Sequence, residues 1–161
     1  MKSLVVYYSM SGNCEMVAEK IKELAGADVL RIEPEKAFPD SGFKKFFWGG
    51  KSAVMGDTPA LKDYSFDASL YDIVVIGFPV WASRMAPPLK TFVADNLEAL
   101  KGKKVASFAC QGGSGAEKAF KQLCGMLGRD SLDATLVLND PKTRENPENE
   151  KTISAFCDKL R

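Results

Sequence analysis

Residues 4–24 read LVVYYSMSGNCEMVAEKIKEL, and this stretch decides the fold. An uninterrupted apolar run ends at Tyr8, a short turn of small and polar residues follows, and a helical pattern begins at Asn13. The apolar residues of that pattern recur at the spacing of a single helix face: Cys14, Val17, Ile21 and Leu24. The stretch therefore predicts a buried strand and a helix, joined by the turn SMSGNC at the carboxyl end of the strand.

The same alternation of strand and helix continues along the chain. Further apolar strands are predicted at residues 28–34, 71–80, 103–110 and 133–140, with helices after Pro87, after the glycines at 112–115 and over about 147–160. Continuously apolar strands that alternate with helices predict a three-layer α/β sandwich: a parallel sheet with helices on both faces. We expect a single domain over 1–161, in which 38–62 is an irregular, insertion-like segment rich in glycine and large apolar residues.

Composition excludes several functional classes. The net charge is +1 and the basic residues are spread along the chain, so neither nucleic acid nor a membrane surface is indicated as a partner. No apolar run approaches the ~20 residues of a membrane span, and the start does not resemble a signal peptide, so we expect a cytoplasmic protein. The four cysteines lack CxxC spacing and histidine is absent, so we assign no metal site and no catalytic residue.

The turn after the first strand is a candidate phosphate loop. Its residues offer backbone N–H groups, hydroxyls and the positive end of the helix dipole: Ser9, Ser11, Gly12, Asn13 and Cys14. The loop contains no Lys or Arg, so we expect it to hold a phosphate by hydrogen bonds alone. The alternative is that Ser11 or Asn13 simply caps the helix.

Other phosphate-binding motifs are not spelled out in the chain. A dinucleotide fingerprint needs G-x-G-x-x-G after the first strand, where only Gly12 is present. The GGKS at 49–52 lacks the first glycine of a P-loop, because Lys45 stands there. A Cys-x5-Arg phosphatase would need an arginine at position 20 or 116, where this chain has Lys20 and Ala116. A receiver domain would need carboxylates at the ends of the first and third strands, and this chain has none there.

The loop after the third strand, FPVWASRMAPP, contains a tryptophan between a proline and small residues. The candidate ligand-binding residues here are Pro79, Val80, Trp81, Ala82 and Ser83. The indole of Trp81 offers a flat face on which an aromatic ligand can stack. The alternative is that Trp81 covers the core or contacts a neighbouring subunit.

The loop after the fourth strand, ACQGGSG, is rich in glycine. Its candidate residues are Cys110, Gly112, Gly113, Ser114 and Gly115. Glycines let the backbone approach a ligand closely and donate N–H groups to it. The alternative is a flexible turn in which Gly115 starts the next helix. All three loops fall at the carboxyl ends of strands, where open α/β sheets bind ligands.

Three segments resemble the flavodoxin-like family: YYSMSGNCEMVAEKI, YDIVVIGFPVWASRMAPPLKTF and GKKVASFACQGGSGAEKAF. With the order of the elements, the resemblance covers nearly the whole chain. It implies a five-stranded parallel sheet in the order 2-1-3-4-5 and one noncovalently bound FMN. The FMN phosphate would then lie in residues 9–14, and the isoalloxazine between the loops at 79–84 and 110–115.

The chain departs from the family pattern in two places. Cys14 stands where the family usually has threonine, so a hydroxyl contact to the phosphate is lost while the backbone N–H groups remain. The second flavin loop has no Tyr or Trp, and we hypothesise that Trp48 or Phe47 completes the stacking. Neither flavin loop carries an acid, and Arg84 adjoins one of them. We therefore predict a less negative semiquinone/hydroquinone potential than in acidic flavodoxins.

The resemblance implies an FMN protein that shuttles electrons between redox partner proteins, as a monomer or weak homodimer. An FMN-dependent NAD(P)H oxidoreductase acting on quinones or similar acceptors is the alternative. A third possibility is a binding module of the same fold that has lost its flavin, for which Cys14 is the only argument.

Overall fold

A computed structural model describes residues 1–38 and 58–161. Its strands in these ranges are β1 (Ser3–Tyr7), β2 (Asp28–Arg31), β3 (Ile73–Trp81), β4 (Arg84–Met85), β5 (Lys104–Gln111) and β6 (Ala134–Asn139). Five of them form one parallel sheet in the order β2-β1-β3-β5-β6, and the short β4 pairs antiparallel with the end of β3. The predicted parallel order is confirmed, and β4 is an addition to it.

Helices cover both faces of the sheet. They are α1 (Asn13–Ala25), α2 (Pro87–Asp95), α3 (Leu97–Lys101), α4 (Ala116–Leu127) and α5 (Glu148–Asp158), with a 3-10 turn at Ala68–Leu70. Apolar residues of α1 and α5 share one buried cluster, whereas those of α2 to α4 belong to the other. The chain therefore forms the predicted three-layer α/β sandwich.

The strands supply both clusters because successive side chains of a strand point to opposite faces. In β1, Leu4 and Val6 pack on the α2–α4 side, and Val5 and Tyr7 pack on the α1–α5 side. All four side chains are buried, and each apolar side chain removed from water contributes roughly 1.5–3 kcal/mol. This two-sided burial explains why the central strands read as continuous apolar runs in the sequence.

Two edge strands differ from their predicted form. β2 ends at Arg31 rather than at residue 34, because its partner strand β1 ends at Tyr7. The Tyr7 carbonyl accepts the last hydrogen bond between the two strands, from the N–H of Ile32 at 2.7 Å. Pro34 then forms an isolated antiparallel bridge with Leu61. At the other edge, β6 alternates buried and less buried residues, since only one strand flanks it.

The segment 38–62 is described only at its two ends. Phe47 and Trp48, the predicted stacking partners, lie outside the described residues. Beyond the segment, Tyr64 and Phe66 pack on Phe92 of α2 with ring centroids 5.5 Å and 5.1 Å apart. Within residues 1–38 and 58–161, no helix is long and apolar enough to cross a membrane.

Candidate functional site

The turn between β1 and α1 forms a loop that ends at Gly12. Gly12 has φ +94° and stands immediately before α1, and its carbonyl accepts the first helical bond, from the N–H of Met16 at 3.1 Å. The Gly12 N–H donates to Oγ of Ser9 at 3.1 Å, which closes the loop. Gly12 has no side chain that could cap the helix, and the Asn13 side chain accepts instead from the N–H of Lys142. Among the described residues no side chain binds a first-turn N–H group of α1, so neither Ser11 nor Asn13 has the alternative role considered from the sequence. The first-turn N–H groups keep the orientation that an anion requires.

The thiol of Cys14 points into the core and not into this loop. Cys14 is 1% exposed and lies in the buried cluster on the α1–α5 side, together with Cys110. A helix N-terminus ordinarily lowers a thiol pKa, but burial dominates here and, with the neighbouring Cys110 thiol, raises the pKa of Cys14 well above its usual range. Only the backbone N–H of Cys14 is therefore suited to binding an anion.

The structure surrounds the phosphate loop with charges that the local sequence did not reveal. The Nη2 of Arg31 donates to the Ser9 carbonyl at 2.8 Å, and its Nη1 lies 3.4 Å from Oε2 of Glu15. At the end of the loop, a β-carbon at Gly12 would lie 2.6 Å from Nζ of Lys142. Two cations thus flank a loop that was expected to act by hydrogen bonds alone, and Arg31 holds the Glu15 carboxylate.

The second predicted loop is a tight hairpin between β3 and β4. Val80 pairs with Met85 and Trp81 with Arg84, which leaves Ala82 and Ser83 as a two-residue turn. Their φ values, +50° and +63°, are those of a type I′ turn, which usually requires glycine or asparagine. Each such residue costs about 1–2 kcal/mol. The sequence did not predict this hairpin because it lacks those turn residues.

Trp81 lies at the carboxyl edge of the sheet in a group of aromatic rings. Its ring centroid is 5.2 Å from that of Phe38 and 5.9 Å from that of Tyr8, both in edge-to-face contact. Trp81 is half-buried and also packs against the core. It therefore has part of the covering role considered as an alternative, while its position next to the hairpin turn suits stacking on an aromatic ligand.

The third predicted loop packs tightly against the hairpin. A β-carbon at Gly115 would lie 2.9 Å from the Cα of Ser83, so this glycine permits contact between two loops of the protein. Gly115 also stands directly before α4 with φ +104°, as the alternative for this residue proposed. Gly112 and Gly113 are different, because they are exposed and a β-carbon at either would meet no atom closer than 4.0 Å. Their exposed backbone can border a ligand, although the Gly112 carbonyl accepts a bond from Arg144.

Two further features of the site were not predicted. The side chain of Gln111 accepts a 3.0 Å bond from the N–H of Ala116 and donates a 2.9 Å bond to Asn139. The loop after β6, residues 140–144, also reaches the site; we call it the bridging loop. The rule that ligands lie at carboxyl ends of parallel strands applies to this loop too and could have revealed it.

The bridging loop contacts both the phosphate loop and the third loop. The N–H of Lys142 donates to Oδ1 of Asn13 at 2.9 Å, and the N–H of Asp140 donates to the Gln111 carbonyl at 2.9 Å. The guanidinium of Arg144 donates to the Gly112 carbonyl and lies 3.2 Å from Oδ2 of Asp140. The candidate site is therefore bordered by four loops, one more than the sequence indicated.

The arrangement suits a flavin mononucleotide. An uncapped helix N-terminus after a left-handed glycine fits a phosphate, and an aromatic group beside an exposed glycine rim fits a flat ring system. Among the described residues no group of His, Cys, Asp or Glu could hold a metal ion.

Comparison with known proteins identifies the family. The sequence profile of the flavodoxin family matches residues 2–151, and the chain belongs to this family. This assignment confirms the family predicted from the sequence and, with it, FMN as the predicted cofactor.

Solved structures share the fold. A candidate flavoprotein from Bacteroides uniformis has a TM-score of 0.77 and 25% identity, over 98% of this chain and 97% of its own. A flavoprotein from Lactobacillus acidophilus in complex with FMN has a TM-score of 0.72 and 24% identity, over 94% of this chain and 97% of its own. Two-electron reduced flavodoxin from Megasphaera elsdenii has a TM-score of 0.60 and 20% identity, over 97% and 98%.

Proposed function

We propose that the protein binds one FMN at the carboxyl edge of its sheet and carries electrons between redox partner proteins. The single observation that supports this most strongly is the convergence of the loops. The phosphate loop, the hairpin at 79–84 and the loop at 110–115 lie at one edge, as a ligand with a phosphate at one end and a ring system at the other requires. FMN supplies the redox chemistry, and the protein supplies binding, orientation and electrostatics.

Each loop has a distinct part in this proposal. The backbone N–H groups of the first turn of α1 and the Ser11 hydroxyl bind the phosphate. The indole of Trp81 lies against the flavin ring, and the exposed backbone at Gly112 and Gly113 borders it. The small residues Ala82 and Ser83 leave the flavin edge accessible to a partner protein, which suits a carrier.

Flavin binding and reduction test this proposal directly. The purified protein, stripped of flavin and titrated with FMN, is expected to quench FMN fluorescence and to bind one equivalent. Stepwise anaerobic reduction is then expected to show two separate one-electron steps. If no FMN binds even at high concentration, the proposal fails. If it binds but both electrons always enter together, carriage of single electrons is excluded.

One observation favours a second candidate, an FMN-dependent NAD(P)H oxidoreductase. Three basic side chains, Arg84, Lys118 and Lys121, line a cavity of ≈ 490 Å³ beside the hairpin turn. A cationic cavity next to the flavin loop offers a place for the phosphates of a pyridine nucleotide. Steady-state oxidation of NADPH with a quinone acceptor separates the candidates. A carrier shows negligible turnover, and an oxidoreductase loses turnover in Lys118→Gln/Lys121→Gln without losing FMN.

A positive charge beside the flavin loop also affects the reduction potential. Arg84 is exposed and pairs with Trp81 across the hairpin. A cation stabilises the negative charge that reduction adds, so Arg84→Gln is expected to make the second one-electron potential more negative, by a few tens of millivolts. Lys159→Gln removes the same charge at the far end of α5 and is expected to leave the potential unchanged. Equal shifts in both variants would contradict a local effect.

A further inference from the structure

We propose that Lys142 in the bridging loop is the counter-charge for the FMN phosphate. The bridging loop is then a fourth part of the cofactor site, and it selects FMN over flavins that lack a phosphate. This inference rests on the proposed function, because it assumes that the chain binds FMN. It adds to that function the residue that neutralises the phosphate, Lys142, and a preference for flavins that carry a phosphate.

Both ends of Lys142 contact the phosphate loop. Its backbone N–H donates to Oδ1 of Asn13 at 2.9 Å. Its side chain turns back along Gly12, where a β-carbon would lie 2.6 Å from Nζ and 3.1 Å from Cδ. The ammonium therefore lies beside the residue that immediately precedes the first turn of α1. The approach is possible only because residue 12 has no side chain.

This position is electrostatically unfavourable without an anion. The N-terminus of α1 carries a positive partial charge, and the Lys142 ammonium beside it is also positive. Within the two described ranges no carboxylate forms an ion pair with Lys142. The acid nearest to Gly12 along the helix, Glu15, pairs instead with Arg31 at 3.4 Å. A phosphate placed between the ammonium and the helix N-terminus would turn this repulsion into two attractions.

The bridging loop is held in place independently of Lys142. The N–H of Asp140 donates to the Gln111 carbonyl at 2.9 Å, and Arg144 joins the Asp140 carboxylate to the Gly112 carbonyl. The loop therefore presents Lys142 to the phosphate loop from a position anchored on the neighbouring strand β5. Arg144 is a positioning residue in this proposal, since it contacts the protein and not the phosphate.

The test compares two ligands that differ only in the phosphate. Full-length protein freed of flavin is titrated with FMN and with riboflavin, and flavin fluorescence is measured at low salt. Lys142→Gln is expected to raise the FMN dissociation constant by about tenfold, equivalent to ~1.4 kcal/mol, and to leave riboflavin binding within a factor of about two. Lys142→Arg is expected to restore most of the FMN affinity because it restores the charge.

A matched control removes the same charge elsewhere. Lys159 is exposed and follows the last residue of α5, far from the carboxyl edge where that helix begins. Lys159→Gln is expected to bind both flavins as the wild type does. The preference of the wild type for FMN over riboflavin is also expected to fall with added salt more steeply than that of Lys142→Gln, because salt screens the exposed ammonium.

The possible outcomes separate this inference from the proposed function. If the wild type binds neither flavin, the proposed function itself fails. If the wild type binds FMN and Lys142→Gln binds it equally well, only the role of Lys142 is overturned. The role is also overturned if Lys142→Gln weakens FMN and riboflavin by the same factor, since the residue would then support the fold of the site rather than the phosphate.

Discussion

Helices α1 and α4 begin in the same way but differ in what surrounds their N-termini. Each follows a glycine with a left-handed φ, +94° at Gly12 and +104° at Gly115, and neither preceding glycine offers a side-chain cap. At α4 the first N–H group is bound by Gln111, and the space beside Gly115 is filled by Ser83. At α1 a flexible lysine occupies the corresponding space. Neighbouring residues therefore close the N-terminus of α4 and leave the first-turn N–H groups of α1 open to a ligand.

The largest expected effect comes from adding a methyl group at each glycine. Gly115→Ala brings a β-carbon to 2.9 Å from the backbone of Ser83, so it adds overpacking to the left-handed strain. We expect it to lower the free energy of unfolding by roughly 2–5 kcal/mol. In Gly12→Ala the added methyl group meets only the movable end of the Lys142 side chain. We therefore expect the free energy of unfolding to fall by about 1–2 kcal/mol, from backbone strain alone.

Urea unfolding of the two variants, both without flavin, measures this difference. Flavin titration adds a second readout, because Gly12→Ala displaces Lys142 and is expected to weaken FMN more than riboflavin. Equal losses of stability at the two glycines would show that the two helix starts are equivalent after all.

A smaller effect is expected at the residue that occupies the start of α4. Gln111→Ala leaves the N–H of Ala116 without its 3.0 Å bond and removes the contact with Asn139. The loss resembles that of a helix cap, so the unfolding free energy is expected to fall by about 1 kcal/mol in thermal or urea unfolding. Gln111→Glu keeps an acceptor at the same place and serves as the control. A Gln111→Ala variant as stable as the wild type would show that the bond contributes nothing.

At α1 the corresponding test concerns the acid beside the phosphate loop. Arg31→Met frees Glu15, and with it Glu33, so the charge of Glu15 next to the loop is no longer neutralised. Surface ion pairs contribute only about 0–1 kcal/mol, and we expect a small change in stability. FMN affinity is expected to fall by less than about tenfold, and Arg31→Met/Glu15→Gln should recover it. Failure of the double variant to recover affinity would assign the effect to the unpaired Glu33 or to the lost Arg31–Ser9 bond instead.

The smallest effect concerns the thiol in the first turn of α1. Burial raises the pKa of Cys14 above its ordinary value of 9.0, so the fold favours the neutral thiol. The stability that Cys14 contributes is therefore complete below pH 9.0 and is lost as the pH rises further. Urea unfolding at about pH 8 and pH 10 is expected to show a decline that Cys14→Ala reduces. An unchanged slope in Cys14→Ala would assign the decline to other groups.

Alkylation gives a second measure of the same thiol. In the folded protein at neutral pH, iodoacetamide is expected to modify Cys124 before Cys14, because Cys124 is partly exposed and Cys14 is buried. Mass spectrometry of the digested protein identifies the modified residue. Early modification of Cys14 would mean that the helix N-terminus, and not burial, governs its reactivity.

Most of the fold follows from the sequence because the signals are local. The apolar runs of β1, β3 and β5 and the helical spacing in α1 are visible within single windows of the chain. One element that was missed, β4, lies in a hairpin whose turn residues, Ala82 and Ser83, are not those that such turns favour. Tertiary packing imposes that turn, including a 2.8 Å bond from the Met85 N–H to Gln122 of α4.

The sequence by itself determined the order of the parallel strands and three of the four loops at the candidate site, since parallel strands place their carboxyl ends at one edge. Only the tertiary structure decided what each loop contacts. Lys142 lies 129 residues from Asn13 in the chain, yet its backbone N–H donates to the Asn13 side chain. Gly115 allows a close contact with Ser83 that no sequence pattern predicts. Charges and close contacts between distant segments depend on three-dimensional packing, and these decide which helix N-terminus is left open for an anion.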